Sequence, residues 1–187
     1  MWIGECKLRE STKASLGGII AALSIVIMLL TYVSPLLVYT APPFAGILLL
    51  IIINELGFRW SVATFAAVSL LSVFIIADKE AAVFYTMFFG YYPILVTGIN
   101  KAVKNKLVNF VIKFFVCNIA CIISIFVCTF FFGVSYDDIF SEGLWFIIAF
   151  ILLMNVFFVI YDNLITKLQL LYVMKIQKKI RKLFNIR

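Results

Sequence analysis

The chain has 187 residues, of which 65% are hydrophobic, 17% aromatic and only 13% charged, and it contains no histidine. A water-soluble domain carries about a quarter charged residues, so this composition excludes one, and the absence of His excludes His-based metal sites and Ser-His or Cys-His catalysis. The formal net charge of +7 does not point to nucleic acid, because the basic residues flank apolar segments on one side, as membrane orientation and anionic headgroups require.

About twenty apolar residues in a self-satisfied helix are needed to cross roughly 30 Å of hydrocarbon. Six segments qualify: residues 16–33, 41–56, 61–77, 80–99, 108–132 and 144–171. The sequence therefore predicts an all-α integral membrane protein with a six-helix transmembrane domain over residues 1–171 and a basic amphipathic tail over 172–187. With both termini cytoplasmic, every Lys and Arg except Lys79 falls on the inner side: Arg59 in one inner loop, Lys101, Lys104, Lys106 and Lys113 in the next, and Lys167 onward at the end. The outer loops hold Asp137, Asp138 and Glu142 without a basic partner. The first segment is too long for a cleavable signal and lacks a cleavage site, so it is expected to stay. The expected location is a cell membrane, the plasma membrane of a bacterium.

In the first helix Ala14, Gly18 and Ala22 recur every four residues, with Gly17 and Ala21 in the adjoining positions. A stripe with so little side chain lets another helix approach closely, either inside the bundle or from another protein. In the second segment Pro42 and Pro43 block helix continuation from Thr40 and leave residues 44–56, roughly 20 Å. Three arrangements stay open: residues 34–40 form an apolar outer loop that dips back as a lid, the short helix lies against a thinned bilayer, or a proline-started helix follows an irregular connection.

Asp78, Lys79 and Glu80 form a charged turn between the third and fourth spans. Asp78 is placed to cap the fourth helix, Glu80 suits its positive end, and Lys79 reaches either headgroups or an anionic ligand group. Tyr32, Tyr39, Phe44, Tyr85, Tyr136 and Trp145 lie at the same outer level, as an interfacial belt or as the wall of a pocket. Gly90-Tyr91-Tyr92-Pro93 breaks the fourth helix, since Pro93 has no N–H for Phe89. Asn118, in helix five, and Asn155, in helix six, are expected to be interhelical hydrogen-bonding residues, and Asp162 to pair with Lys167, Arg59 or a lysine of the second inner loop. Asn54 and Glu55 are placed at the inner surface. Cys117, Cys121 and Cys128 share a helix face, but thiols without other soft ligands make a poor metal site, and no metal is expected.

Past the sixth span, Ile176, Ile180, Leu183 and Phe184 recur among Lys175, Lys178, Lys179, Arg181 and Lys182, a basic amphipathic helix suited to lie on anionic lipid.

Six spans with both ends inside, the Ala14, Gly18, Ala22 face and the proline-containing connection over residues 33–43 together resemble the substrate-binding S component of energy-coupling-factor transporters. The resemblance implies a subunit that captures a small nutrient or vitamin from outside and docks through Ala14, Gly18 and Ala22 on a transmembrane coupling subunit energised by separate ATPases. The chain has no phosphate-binding loop of its own. Substrate contact is expected from Tyr39, Phe44, Lys79, Tyr85, Tyr92 and Trp145; no cofactor, no nucleic acid and no enzymatic activity are expected. The alternative is a non-transporting scaffold or accessory subunit, which needs no outward cavity.

Overall fold

A computed structural model describes residues 10–34, 36–132 and 144–176. Cys6, the outer-loop Tyr136, Asp137, Asp138 and Glu142, and the amphipathic stretch from residue 177 lie outside the described residues. The elements are α1 (Glu10–Leu29) with a 3-10 turn at Leu30–Tyr32, α2 (Leu37–Glu55), α3 (Phe58–Ile75), α4 (Lys79–Phe84), a π-helical turn at Tyr85–Phe89, α5 (Tyr92–Ala102), α6 (Lys106–Phe132), and α7 (Leu144–Leu171) with a π-helical turn at Tyr172–Ile176. No strand occurs among the described residues. Six stretches are long and apolar enough to cross a membrane: Glu10–Tyr32, Leu37–Glu55, Phe58–Ile75, Lys79–Ala102, Lys106–Ser124 and Ile151–Met174. These fit a multi-pass membrane protein.

The second helix departs from the sequence expectation. It starts at Leu37, not after the prolines, and carries Pro42 and Pro43 inside it. Residues 37–40 are therefore helical and do not form a dipping loop. The physical reason is the medium: in hydrocarbon an unpaired backbone group costs several kcal/mol, so one helical turn before the prolines is better than an open chain even though two proline N–H groups are missing. Both prolines are buried, and the Thr40 hydroxyl turns back to the Leu36 carbonyl at 3.3 Å. At 1.5 Å per residue the helix is about 28 Å long, so no thinning of the bilayer is required.

α2 lies at the centre. One core cluster packs Met28 of α1, Ala45 and Leu49 of α2, Val68 of α3, and Ala81 and Tyr85 of the fourth span. A second joins Leu50 of α2 to Tyr92 and Val96 of α5, Cys117 of α6, and Phe158 and Ile165 of α7. Ile20, Ile52 and Leu56 close the end next to Gly57. Large apolar residues on α3, α6 and α7 such as Phe74, Leu107 and Leu152 face outward, the surface that acyl chains cover.

Local chemistry sets the turns. Gly57 has φ +87° and ψ −174°, a region open essentially to glycine alone, and reverses the chain between α2 and α3. At the opposite end Lys79 donates to the carbonyls of Val73 and Ile76 at 2.8 and 3.0 Å, closing the C-terminal end of α3 with a cation where the helix dipole favours one. Asp78 holds the N-cap position of α4 with an extended backbone, but its side chain makes no capping hydrogen bond. Asn105 accepts from the Leu107 N–H at 3.1 Å ahead of α6.

Two charged residues lie deeper than the sequence places them. Lys113, counted with the second inner loop, is within α6 and buried. Glu55, placed at a surface, is 4% exposed and accepts from the Tyr172 hydroxyl at 2.9 Å. The bundle thus takes in Tyr172, beyond the boundary drawn at residue 171. Both follow from partners remote in sequence, Asp162 on α7 and Tyr172 in the turn that follows it.

Candidate functional site

α1 presents two faces built from small residues, and they do different things. Gly17, Ala21 and Ser24 are buried, and a Cβ on Gly17 would stand 3.3 Å from the Thr64 hydroxyl of α3. Ala14, Gly18 and Ala22 point away from the bundle and are exposed, with nothing within 4 Å of a Cβ placed on Gly18. The stripe singled out in the sequence is therefore unused by the packing of the described residues.

The second feature is the interrupted fourth span. The Gly90 N–H bonds to the Tyr85 carbonyl at 2.7 Å, an i to i+5 step that makes the π turn, and such turns often mark functional sites. Pro93 offers no N–H to the Phe89 carbonyl. In its place the Tyr161 hydroxyl stands 3.4 Å from the carbonyls of both Phe89 and Pro43, with one proton to share between them. Gly46 makes this junction possible, because a Cβ there would lie 2.3 Å from the Phe89 oxygen and 2.8 Å from the Tyr161 hydroxyl.

Aromatic rings gather around the break. Phe89 and Tyr161 meet edge to face at 4.9 Å, and Tyr92 packs on Phe158 and Tyr161 at 5.5 Å each, within the range of favourable ring pairs. A cavity of about 20 Å³ remains between the π turn, α6 and α7, bordered by Phe88, Tyr91, Tyr92, Cys117, Met154 and Phe158 among others. A second, more open recess of about 170 Å³ runs between α2 and α7 from Thr40 and Phe44 to Ile160 and Leu164. Phe157 and Tyr161 border both.

Polar side chains run along the same seam. The Asp162 Oδ1 accepts from the Tyr92 hydroxyl at 2.6 Å and from the Lys113 ammonium at 3.0 Å; the ion-pair side chains are 15% and 5% exposed. Asn118 and Asn155, both expected to bond between helices, do so with each other, exchanging hydrogen bonds of 3.1 and 3.3 Å. The Gln169 amide donates to the Thr97 hydroxyl at 3.1 Å. Asn155, Asp162 and Gln169 recur every seven residues, two helical turns, so α7 holds α5 and α6 by three polar rungs on one face.

The five residues expected to contact substrate whose side chains are described are not brought to one cavity. Phe44 lines the open recess and Tyr92 the small cavity. Tyr39 is exposed beside Glu80, its hydroxyl 3.4 Å from the carboxylate, and packs edge to face on Phe84 at 5.6 Å. Lys79 is committed to the end of α3. Tyr85 is fully buried in the core against Phe65. Trp145 is the second residue of α7, and its side chain lies outside the described residues. Sequence reasoning missed Tyr161 and Gly46; of the partners it offered Asp162, the structure selects Lys113 from the lysines counted with the second inner loop. The seven-residue spacing of Asn155, Asp162 and Gln169 was the available signal for the polar seam; nothing local marks Gly46.

Comparison of the chain with protein-family models, with curated proteins and with solved structures finds no match.

Proposed function

We propose that this chain is the solute-binding membrane subunit of a multi-component importer of the energy-coupling-factor type, docking on a transmembrane coupling subunit through Ala14, Gly18 and Ala22. The observation that carries the reading is the outward direction of that stripe. Nothing apolar is gained in lipid by exposing glycine and alanine, whereas a shallow channel along a helix lets a partner backbone come close enough for dispersion and weak hydrogen bonds. With no phosphate-binding loop in the sequence, energy would come from ATPases attached to the partner. The basic residues flanking the spans support cytoplasmic termini and a bacterial plasma membrane. Solute capture is assigned to the end that carries Tyr39, Phe44 and Glu80, beside the recess that Thr40 and Phe44 line between α2 and α7.

A second reading, a non-transporting accessory subunit that docks through the same face, is favoured by one observation: the described members of the predicted aromatic set do not converge on one cavity. Gly18→Leu separates both from ordinary bundle packing. The variant folds as the parent does, because the position is open, yet it no longer copurifies with a membrane partner and ATPases from the native host. Unchanged copurification, or the absence of any membrane partner of the parent, overturns docking. A small molecule kept by the gently purified protein in native mass spectrometry supports the importer; intact docking with no retained solute leaves the accessory subunit.

A further inference from the structure

Asp162 lies midway along the Ile151–Met174 stretch, and the fourth span is interrupted midway along Lys79–Ala102, at the π turn and the break over residues 90–93. The two middles meet. Tyr92, the first residue of α5 after the break, donates its hydroxyl to Asp162 Oδ1 at 2.6 Å, and the Lys113 ammonium stands 3.0 Å from the same oxygen. Coupling-ion sites of membrane carriers are built in this way, near the middle of the bilayer beside an interrupted helix, and ionisable groups inside a span characteristically serve ion or proton pathways. Stability alone does not call for the pair, since apolar side chains of similar size commonly hold a bundle as well. From Asp162 the polar pairs continue toward the end next to Gly57: Gln169 with Thr97 at 3.1 Å, then Tyr172 with Glu55 at 2.9 Å, where the second Glu55 oxygen, Oε2, is buried without a hydrogen-bond partner. In the other direction α7 carries Phe157 and Phe158 into the aromatic cluster.

We propose that Asp162 is a proton-binding site at which this chain takes up and releases one proton in each conformational cycle, and that the exchange opens and closes the polar rung between α6 and α7. The charges around it name the ligand. An ammonium already stands where a metal cation would, and the carboxylate repels an anion, so the exchangeable species is a proton. On uptake, a proton from water forms an O–H bond on the Asp162 carboxylate, and the Lys113–Asp162 pair passes from no net charge to one positive charge. An ammonium without its anion is costly in the interior. The Lys113 stem tilts toward the N-terminal end of α6 at Lys106, and its length lets the ammonium reach the interface there, which breaks the rung. Release reverses each step. The ionisable groups nearest to Asp162 on the packed elements are Tyr92 on α5 with Tyr91 before it, Lys113 and Cys117 on α6, Tyr161 and Lys167 on α7, and Glu55 on α2 beyond Gln169. Tyr92 stays bonded through the exchange, because a protonated carboxyl still accepts a hydrogen bond. The proposal goes beyond the docking reading and does not depend on it: a chain without a coupling subunit still exchanges this proton.

The test uses the full-length protein in nanodiscs of zwitterionic lipid, with Cys6→Ala, Cys121→Ala and Cys128→Ala, so that Cys117, buried one turn along α6 from Lys113, is the single thiol. Infrared difference spectra on acidification show a carboxylic-acid C=O band that Asp162→Asn removes. Over the same range dithiodipyridine reaches Cys117 faster by about tenfold or more, since losing one partner of a buried ion pair shifts a local opening by at least that factor. Asp162→Asn, which mimics the protonated form, reacts fast at every pH; a merely structural pair gives no such profile. Helical content and monodispersity check folding, and if Asp162→Asn does not fold, Asp162→Glu takes its place and retains the exchange with its band displaced. The absence of a carboxylic-acid band from Asp162 at every pH the folded protein tolerates, a band that Asp162→Glu leaves in place, or a labelling profile that Asp162→Asn leaves unchanged, overturns the site.

Discussion

Gly46→Ala disrupts the bundle, and thermal unfolding in detergent shows the largest loss of stability of any single methyl addition to the described glycines. The added Cβ would come within 2.3 Å of the Phe89 oxygen and 2.9 Å of its carbonyl carbon. Those are main-chain atoms in the π turn, held by the Gly90 to Tyr85 hydrogen bond and by the start of α5 at Pro93. No side chain can swing aside to make room. Overpacking of a close-packed interior costs about 1–3 kcal/mol and occasionally more; because backbone must move and Tyr161 loses its seat between the two carbonyls, we expect about 3 kcal/mol or more, read as a fall in melting temperature and in monodisperse yield. Gly98→Ala is the control. Nothing lies within 4 Å of its Cβ, and it should stabilise the helix by roughly 0.5–1 kcal/mol. A Gly46→Ala variant as stable as the parent would show that α2 and the fourth span are not in contact at this junction.

Lys113→Met is expected to cost about 3–5 kcal/mol, since removing one member of a buried ion pair leaves the other charge uncompensated. Asp162 keeps only the Tyr92 hydroxyl in that variant. The informative comparison is Lys113→Met/Asp162→Leu with Tyr92→Phe, which removes all three polar groups together. It should recover most of the loss, because a buried pair replaced by apolar residues of similar size is commonly neutral or better. Denaturant titration of single, double and triple variants reads the coupling. Equal, additive losses would show that the three groups do not act as a unit.

Much of the architecture was legible along the chain. The breaks at Gly57, Asp78 and Gly90 to Pro93 all fall where the structure ends or interrupts a helix, because glycine, proline and charged turns act through local backbone chemistry. Asn118 and Asn155 were recognisable as bonding residues because a polar amide within a span must find a partner. Pro42 and Pro43 misled, since interior proline costs a helix a hydrogen bond and a ring clash, but in lipid an open chain ahead of them would leave still more backbone groups unpaired. The candidate site was less legible. Which of two adjacent small-residue stripes on α1 faces outward depends on where α2 and α3 lie, and Gly17 is buried while Gly18 is open although they are consecutive.

The amino-acid sequence by itself determined a helical chain with six stretches long and apolar enough to cross a membrane, because the length and hydropathy of a segment are compared with the bilayer one segment at a time. Only the tertiary structure decided which polar groups meet. Lys113 finds Asp162 at a separation of 49 residues, and Tyr161 finds Phe89 at 72. Such contacts depend on the rotation of each helix about its axis, which the packing of its neighbours fixes and no local stretch of sequence records.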